Sequence, residues 1–243
     1  MPFYRVRRSS DLVLREDVGS TNCPKRTLWC SGKIHTVDLM TMAQQTDFPL
    51  PANLPQPVDD GGADHLRGLP LPPLVLPSTA GEGVDLSDLP EPQTVVYCYP
   101  MTGVPGKPLP EGWDMIPGAR GCTPQACGFR DHHRELSELK AGVYGLSTQT
   151  TEYQQEMAAR LHLPCPVLSD AEFKFCDALR LPTFQINGVR LLKRLTMVVR
   201  RGRIEHVFYP VFPPNESALQ VIRWLRAHPL QADPFEGSPG GAD

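Results

Sequence analysis

The sequence predicts an α/β fold in which a mixed central sheet carries helices on both faces. A β-branched and aromatic run from Thr94 to Tyr99 predicts a buried strand. Apolar residues at helical spacing from Thr123 to Lys140 predict a helix directly before the next strand. Farther along, the runs Leu195–Arg200 and Arg203–Tyr209 predict a β-hairpin. Together they indicate a β-α-β unit followed by β-β-α.

The segments between these elements continue the alternation of predicted strands and helices. Strands are predicted from Val143 to Ser147 and, more weakly, from Leu74 to Leu76, and helices at the capping boxes Thr151-x-x-Gln154 and Ser169-x-x-Glu172. A last helix is predicted from about Glu216 to Ala227, with Leu219, Ile222 and Leu225 buried. Parallel neighbours joined by a helix, with a hairpin added, give the plan of a thioredoxin-like fold.

Composition and charge set limits on the class of function. The chain has 243 residues, 40% of them hydrophobic and 21% charged, as in a globular protein. A formal net charge of -3 gives no electrostatic reason to expect nucleic acid or an anionic membrane as a partner. No apolar run approaches the roughly 18 residues of a membrane helix, and Met1 to Asn22 lacks the apolar core of a signal peptide. We therefore expect a cytoplasmic protein.

Three regions differ in composition. Residues 1–45 show no clear periodicity, so we expect a disordered extension or a start codon placed too far upstream. Residues 46–230 hold the predicted thioredoxin-like domain, and the 15 prolines from Pro49 to Pro117 exclude long helices from its first part. Residues 231–243 are rich in Gly, Pro and acidic side chains and are expected to form a disordered tail.

Seven cysteines argue against a secreted disulfide scaffold, because their number is odd and no export signal is visible. Only Cys23 with Cys30, and Cys122 with Cys127, are close in sequence. Neither pair is followed by a second Cys or His pair at zinc-site spacing, so no metal and no cofactor are expected.

Cys122 falls in the first turn of a predicted helix. There the unpaired backbone N–H groups and the helix dipole favour the thiolate, which is the nucleophilic form of cysteine. Gly121 before it would allow a substrate to approach the backbone closely. The alternative is that Cys122 is a small packing residue beside a loop.

The resemblance to a family is specific at this point. The chain carries Gly121-Cys122-Thr123-Pro124-Gln125-Ala126-Cys127-Gly128-Phe129-Arg130-Asp131 after a strand that ends in Tyr99-Pro100. This run resembles peroxiredoxins, and most of all the bacterioferritin-comigratory-protein or peroxiredoxin Q subfamily. The likeness spans roughly residues 65–227 and continues through Gly145-Leu146-Ser147-Thr148, Leu168-Ser169-Asp170 and Arg194-x-Thr196.

The resemblance implies a thiol peroxidase for hydrogen peroxide or organic hydroperoxides. Cys122 would attack the O–O bond and become a sulfenic acid, and Cys127 would condense with that acid to a disulfide. A thioredoxin-like or glutaredoxin-like dithiol would then reduce the disulfide. Arg194 would stabilise the thiolate and hydrogen-bond the peroxide. Relatives of this type imply a monomer rather than an oligomer.

The sequence departs from the family pattern before Cys122. The family places a proline seven residues before the reactive cysteine and a threonine or serine three before it, where this chain has Met115 and Ala119. An inserted loop over 103–117 accounts for the shift, with Trp113 expected to anchor that loop to the core. The substrate-binding residues are then predicted to be Pro100 in the family proline's place, Thr102 or Arg120 supplying the missing donor, and Gly121. The alternatives are that a backbone N–H supplies this donor or that peroxide reduction is slower.

Two other functions remain open. A thiol oxidoreductase or redox sensor with weak peroxidase activity would explain the missing hydroxyl at Ala119. A non-enzymatic binding protein could dock through the proline-rich loop 103–117, with Cys122 and Cys127 incidental. The remaining cysteines of the domain are interpreted more simply: Cys98 and Cys176 as buried packing residues, and Cys165 as a loop residue with no visible partner.

Overall fold

The computed structural model describes residues 27–30, 33–36, 50–51, 53–89 and 91–230. The chain divides into two units, 1–47 and 48–243, each of which is described by itself. In the first unit, β1 (Thr27–Cys30) and β2 (Lys33–Thr36) pair as antiparallel strands. The rest of the predicted extension, and the predicted tail over 231–243, lie outside the described residues, so these boundaries stay predictions.

The second unit is built on a five-stranded mixed sheet, which confirms the predicted fold class. The strands of this unit are β3 (Val75–Leu76), β4 (Val84–Asp85), β5 (Gln93–Cys98), β6 (Ala141–Ser147), β7 (Val167–Ser169), β8 (Thr183–Ile186), β9 (Val189–Leu192), β10 (Leu195–Arg200) and β11 (Arg203–Phe208). The sheet order is β11-β10-β5-β6-β7. Its last three strands run parallel, whereas β10 is antiparallel to both of its neighbours.

Helices cover the sheet, and side chains alternate between its two faces along each strand. The helices are α1 (Cys122–Asp131), α2 (His133–Glu138), α3 (Thr151–Leu161), α4 (Lys174–Leu179) and α5 (Ser217–Ala227). On one face, Val95 and Tyr97 pack with α1, α2, α3 and α5. On the other face, Val96 and Cys98 pack with α4 and with the β3–β4 ribbon. Both faces of β5 are therefore buried, which explains its continuous apolar run. Among the described helices, none has the length and apolar content that a membrane span requires.

The predicted helix from Thr123 to Lys140 is in fact two helices. His132 separates α1 from α2 and has φ −101° and ψ 10°, outside the helical range. Phe129 before the break and Leu136 after it are both fully buried. The predicted apolar face is therefore right, and the predicted continuity is wrong.

The two predicted capping boxes are displaced. Thr150, not Thr151, is the N-cap of α3, because its hydroxyl accepts a first-turn backbone N–H at 3.4 Å. Ser169 ends β7 and donates to a carbonyl oxygen at 2.7 Å, so it does not open the next helix. The N-cap of α4 is Phe173, which makes no side-chain cap bond, and the Asp170 carboxylate accepts the first-turn N–H groups of Phe175 and Cys176 at 3.0 and 2.7 Å.

Two further expectations are corrected in the C-terminal part. Leu219 on α5 is 38% exposed, while Ala218 and Val221 are buried beside Ile222. The β8–β9 hairpin was not predicted, although its turn, Asn187-Gly188, has positive φ at both residues. Such a dipeptide between apolar runs is a strong hairpin signal.

The topology collects the candidate residues at one end of the sheet. Leu195, the first residue of β10, pairs with Cys98, the last residue of β5. Arg194 therefore lies where Tyr99 and Pro100 leave the sheet. The chain returns to this end at Cys122, after the loop and before β6.

Candidate active site

Cys122 is the first residue of α1, as predicted. Gly121 before it has φ 102° and ψ 20°, a left-handed conformation that favours glycine. The thiol is only 4% exposed, and its Sγ lies 3.6 Å from the Ala119 carbonyl oxygen. First-turn N–H groups of a helix have no partner within the helix, so this position suits an anion.

The guanidinium of Arg194 lies against this sulfur. Its Nη2 is 3.2 Å from Cys122 Sγ, although the two residues are 72 positions apart in the chain. The same guanidinium donates to the carbonyl oxygens of Gly118, Ala119 and Arg120 at 3.3, 3.1 and 3.1 Å. Arg194 is 3% exposed, so its fixed charge faces the sulfur in a site largely closed to water.

Gln125 also holds the Arg194 side chain in place, a role that the sequence analysis did not predict. Its side-chain oxygen accepts a hydrogen bond from Arg194 Nη1, and its amide nitrogen donates to Ser217 Oγ at 3.4 Å. Ser217 in turn bonds Thr196 at 3.2 Å. Gln125 is fully buried and lies three residues after Cys122, a spacing that places both on one helix face. That spacing is the signal by which the sequence could have revealed it.

Gly121 has a different neighbour from the one expected. A Cβ at this position would collide with the Pro214 ring and come within 3.2 Å of Leu50 Cδ2. The close approach that glycine permits here is therefore to the protein's own chain, where α1 packs against the 3₁₀ turn Pro214–Glu216. A peroxide does not have access to Gly121 from that side.

The predicted donors Thr102 and Arg120 do not turn their side chains to Cys122. The Thr102 hydroxyl lies 3.3 Å from Gln149 Oε1, and the Arg120 guanidinium pairs with Asp114 at 3.2 Å. Only the carbonyl of Arg120 takes part in the site, through Arg194. Pro100 is buried, and its carbonyl accepts a hydrogen bond from Ser147 at 3.3 Å. Within the described ranges, Arg194 is the side chain that bonds the sulfur.

Trp113 anchors the inserted loop, as predicted. It is 3% exposed and packs with Ala119 and Leu191 in a small cluster of its own. Its ring centroid lies 6.2 Å from that of Phe184 on β8. The unpredicted β8–β9 hairpin is therefore the surface on which the loop rests.

The second cysteine of the motif, Cys127, is also buried in α1 as a free thiol. Burial raises the pKa of Cys127, with nearby Arg130 opposing part of that rise. Burial likewise raises the pKa of Cys165 and of Cys176 to about 11, and that of Cys98 farther. For these four thiols burial therefore disfavours the thiolate, the form of cysteine that attacks a peroxide.

The two adjacent histidines offer no metal site. His132 Nδ1 lies 3.1 Å from a Glu135 carboxylate oxygen, an ordinary surface contact. In the part of the chain that the structure describes, no three His, Cys, Asp or Glu side chains come together in a way that could hold a metal ion.

Known proteins share both the sequence pattern and the fold. The family model described as Redoxin matches residues 66–222. Peroxiredoxin Bcp of Escherichia coli K12 is 30% identical over 161 residues, which cover 65% of this chain and 93% of that protein. The chloroplastic Peroxiredoxin Q of Gentiana triflora is 24% identical, with 86% of this chain and 92% of that protein covered.

Solved structures agree. Peroxidoxin BcpB of Mycobacterium tuberculosis superposes with a TM-score of 0.55 and 26% identity, over 67% of this chain and 97% of that one. Peroxiredoxin Q of Xanthomonas campestris, at 20% identity and a TM-score of 0.52, covers 72% and 98% and supports the fold alone. Since the family model spans more than half of the chain and the E. coli relative is aligned almost throughout, this chain belongs to the redoxin family as a peroxiredoxin of the Bcp and Q type, a thiol-dependent peroxidase.

Proposed function

We propose that Cys122 is the peroxide-attacking thiolate, that Cys127 resolves it, and that a thioredoxin-type dithiol reduces the resulting disulfide. The observation that carries the proposal is the 3.2 Å contact between Arg194 Nη2 and Cys122 Sγ. A permanently charged guanidinium beside a buried sulfur favours its ionised form. Among the other buried thiols of the described residues, only Cys176 has a guanidinium within hydrogen-bond distance of its sulfur, that of Arg190 at 3.6 Å.

In the first step, the thiolate sulfur bonds one peroxide oxygen while the O–O bond breaks. The second oxygen leaves as hydroxide or alkoxide and takes up a proton, so that Cys122 is oxidised to a sulfenic acid and the peroxide is reduced. Negative charge moves from sulfur to oxygen in this step. Arg194 is suited to stabilise that charge because three carbonyls and Gln125 hold it in place before the reaction. In this proposal Gln125 is a positioning residue.

The missing family hydroxyl requires a substitute, since Ala119 and Thr102 do not supply one. We infer that the first-turn N–H groups of α1 take this role together with Arg194. Pro124 has no N–H, which leaves those of Cys122 and Thr123 at the helix start. These donors point out of the N-terminal end of a helix, where an anionic oxygen is favoured.

A cavity beside Arg194 supports organic hydroperoxides as substrates in addition to hydrogen peroxide. The cavity measures about 340 Å³, within the range of small-molecule sites. Apolar side chains dominate its lining, including Ile116, Phe184 and Val211, and Arg194 also lines it. An alkyl group could lie among these side chains while its peroxide oxygens reach the guanidinium.

Resolution by Cys127 requires α1 to unwind. Five residues of regular helix separate two Cα atoms by roughly 7.5 Å along the axis and by about 140° around it. A disulfide needs Cα atoms about 4.4–6.8 Å apart with converging side chains. Unwinding would also expose Cys127 to water and remove the burial that raises its pKa. Because both thiols belong to one helix, the reaction needs no second chain, which supports a monomer.

Replacing Cys127 with serine tests this assignment. We expect Cys127→Ser to react with the first peroxide at the wild-type rate, to lose turnover with a thioredoxin-type reductant, and to over-oxidise to sulfinic acid in excess peroxide. Stopped-flow oxidation and intact mass spectrometry measure the two effects. The matched control is Cys165→Ser, another buried thiol of raised pKa, which should behave as wild type. Full turnover by Cys127→Ser would overturn the proposed resolving role.

A further inference from the structure

A basic groove lies where β10 turns into β11. It is lined by the cationic side chains Arg67, Arg200, Arg201, Arg203 and His228, and its volume is about 690 Å³. The other described residues of the lining are Gly68, Pro92, Ile204, Glu205, Pro229 and Leu230. The groove shares no lining residue with the cavity beside Arg194.

The strand register places this groove at the opposite end of the sheet from Cys122. Arg200 pairs with Gln93, the first residue of β5, whereas Leu195 pairs with Cys98, the last residue of that strand. Five strand residues correspond to about 17 Å. A ligand in the basic groove is therefore separate from the peroxide site, and the inference stands independently of the proposed mechanism.

The groove concentrates positive charge in a chain that is acidic as a whole. Its four arginines are charged at every physiological pH, and Glu205 is the one carboxylate in its lining. With Arg201 left out of the count, the three arginines Arg67, Arg200 and Arg203 still outnumber Glu205, whereas the whole chain has a formal net charge of -3. The positive charge also acts on the neighbouring His206. Burial lowers the pKa of His206 first, and the charges of Arg67 and His228 lower it further.

One arginine forms a fixed wall of the groove. Arg200 donates to Gln93 Oε1 at 2.9 Å, to Glu205 at 3.2 Å and to the His228 carbonyl, and its side chain is 13% exposed. Its guanidinium also lies 5.2 Å from the ring centroid of Trp224. Every nitrogen of Arg200 is thus engaged within the protein.

Two other arginines keep donors available. Arg203 is exposed and donates one Nη1 bond, at 3.2 Å, to the Gly68 carbonyl, leaving its Nε and Nη2 unused among the described contacts. Arg67 is exposed and makes no hydrogen bond or ion pair within the described part of the chain. A planar fork of N–H donors matches the oxygens of a phosphate group.

We propose that the basic groove binds a small, multiply charged phosphate anion, of the pyrophosphate or triphosphate class. The groove is large enough to admit such a ligand, and the two arginines with spare donors supply charge-assisted hydrogen bonds to it. In this proposal the arginine side chains recognise the phosphate groups of the ligand and not an attached base. The nearest large ring, Trp224, is already stacked with His206 at 4.9 Å and with His228 at 4.3 Å, so it does not offer a free face to a base.

Calorimetric titration of the full chain with inorganic pyrophosphate and triphosphate, at low ionic strength, tests the proposal. We expect saturable one-site binding with Kd below about 1 mM that weakens as salt is raised, and no binding of acetate. The double variant Arg67→Gln, Arg203→Gln should bind at least about tenfold more weakly. The matched control Arg223→Gln removes an exposed arginine of α5 outside the groove and should bind as wild type.

Peroxide consumption should be unchanged in both variants, which separates this test from that of the proposed mechanism. Hydrogen exchange of the wild-type chain provides a readout that needs no variant: pyrophosphate should protect residues 67–68, 200–205 and 228. Absence of saturable binding, equal affinity in the double variant, or protection elsewhere would overturn the proposal.

Discussion

Replacing Cys122 with serine is expected to abolish peroxide consumption, leaving only the uncatalysed rate. A serine oxygen is rarely ionised at neutral pH and cannot form a sulfenic acid, so no oxygen atom can be transferred from the peroxide. The substitution conserves size, and a hydroxyl can still donate to the Ala119 carbonyl, as the thiol does at 3.6 Å. The variant should therefore fold normally, as a melting curve would show. Consumption of hydrogen peroxide and of an organic hydroperoxide, each coupled to a thioredoxin-type reductant, provides the measurement.

The control for this variant is Cys176→Ala. Cys176 is fully buried on α4, its pKa is raised to about 11 by burial, and it lies in the cluster on the other face of the sheet. The control should retain wild-type turnover. If Cys122→Ser kept most of the activity, the reactive thiol would have to be sought among the other cysteines.

Replacing Arg194 with methionine should slow the oxidation of Cys122 by roughly two orders of magnitude, the usual effect of removing one donor that stabilises developing charge. Without the guanidinium, the negative charge that moves from the sulfur to the departing oxygen loses its hydrogen-bond partner. Alkylation of Cys122 by iodoacetamide at neutral pH should slow as well. Arg194→Lys keeps the charge but loses the planar fork, so an intermediate rate is expected.

The chain offers a matched arginine. Arg190 on β9 has its Nη2 3.6 Å from Cys176 Sγ and an ion pair with Asp177 at 2.8 Å. Arg190→Met therefore removes an arginine beside a cysteine without touching the proposed site, and should leave Cys122 oxidation unchanged. If Arg194→Met folded normally and reacted at the wild-type rate, Arg194 would be a structural residue only.

The sequence was sufficient for the parts of the fold that local patterns encode. The apolar strand β5, the β10–β11 hairpin and the buried face of α1 follow from periodicity, as does that of α5 apart from the exposed Leu219. The break at His132 does not, because the apolar positions Phe129 and Leu136 are seven residues apart and continue the same face across it. The exact start of a helix also depends on which neighbouring hydroxyl or carboxylate accepts its first-turn N–H groups, as Ser169 and Asp170 illustrate.

The candidate site likewise combines features that the local sequence encodes with contacts between residues far apart in the chain. The position of Cys122 at a helix start is a local property and was predicted from the residues around it. The contact with Arg194 arises from the antiparallel pairing of β10 with β5, and only the family resemblance pointed to it. Thr102 was expected to reach the sulfur, but its hydroxyl is held by Gln149, a contact 47 residues away that no local pattern encodes.

Peptide mapping by mass spectrometry, after one equivalent of hydrogen peroxide is added to the reduced protein, tests the central claim most directly. The account predicts a single new disulfide between Cys122 and Cys127, accompanied by faster hydrogen exchange over residues 121–130 as α1 unwinds. A disulfide from Cys122 to Cys176, or a protected α1 in the oxidised protein, would contradict it.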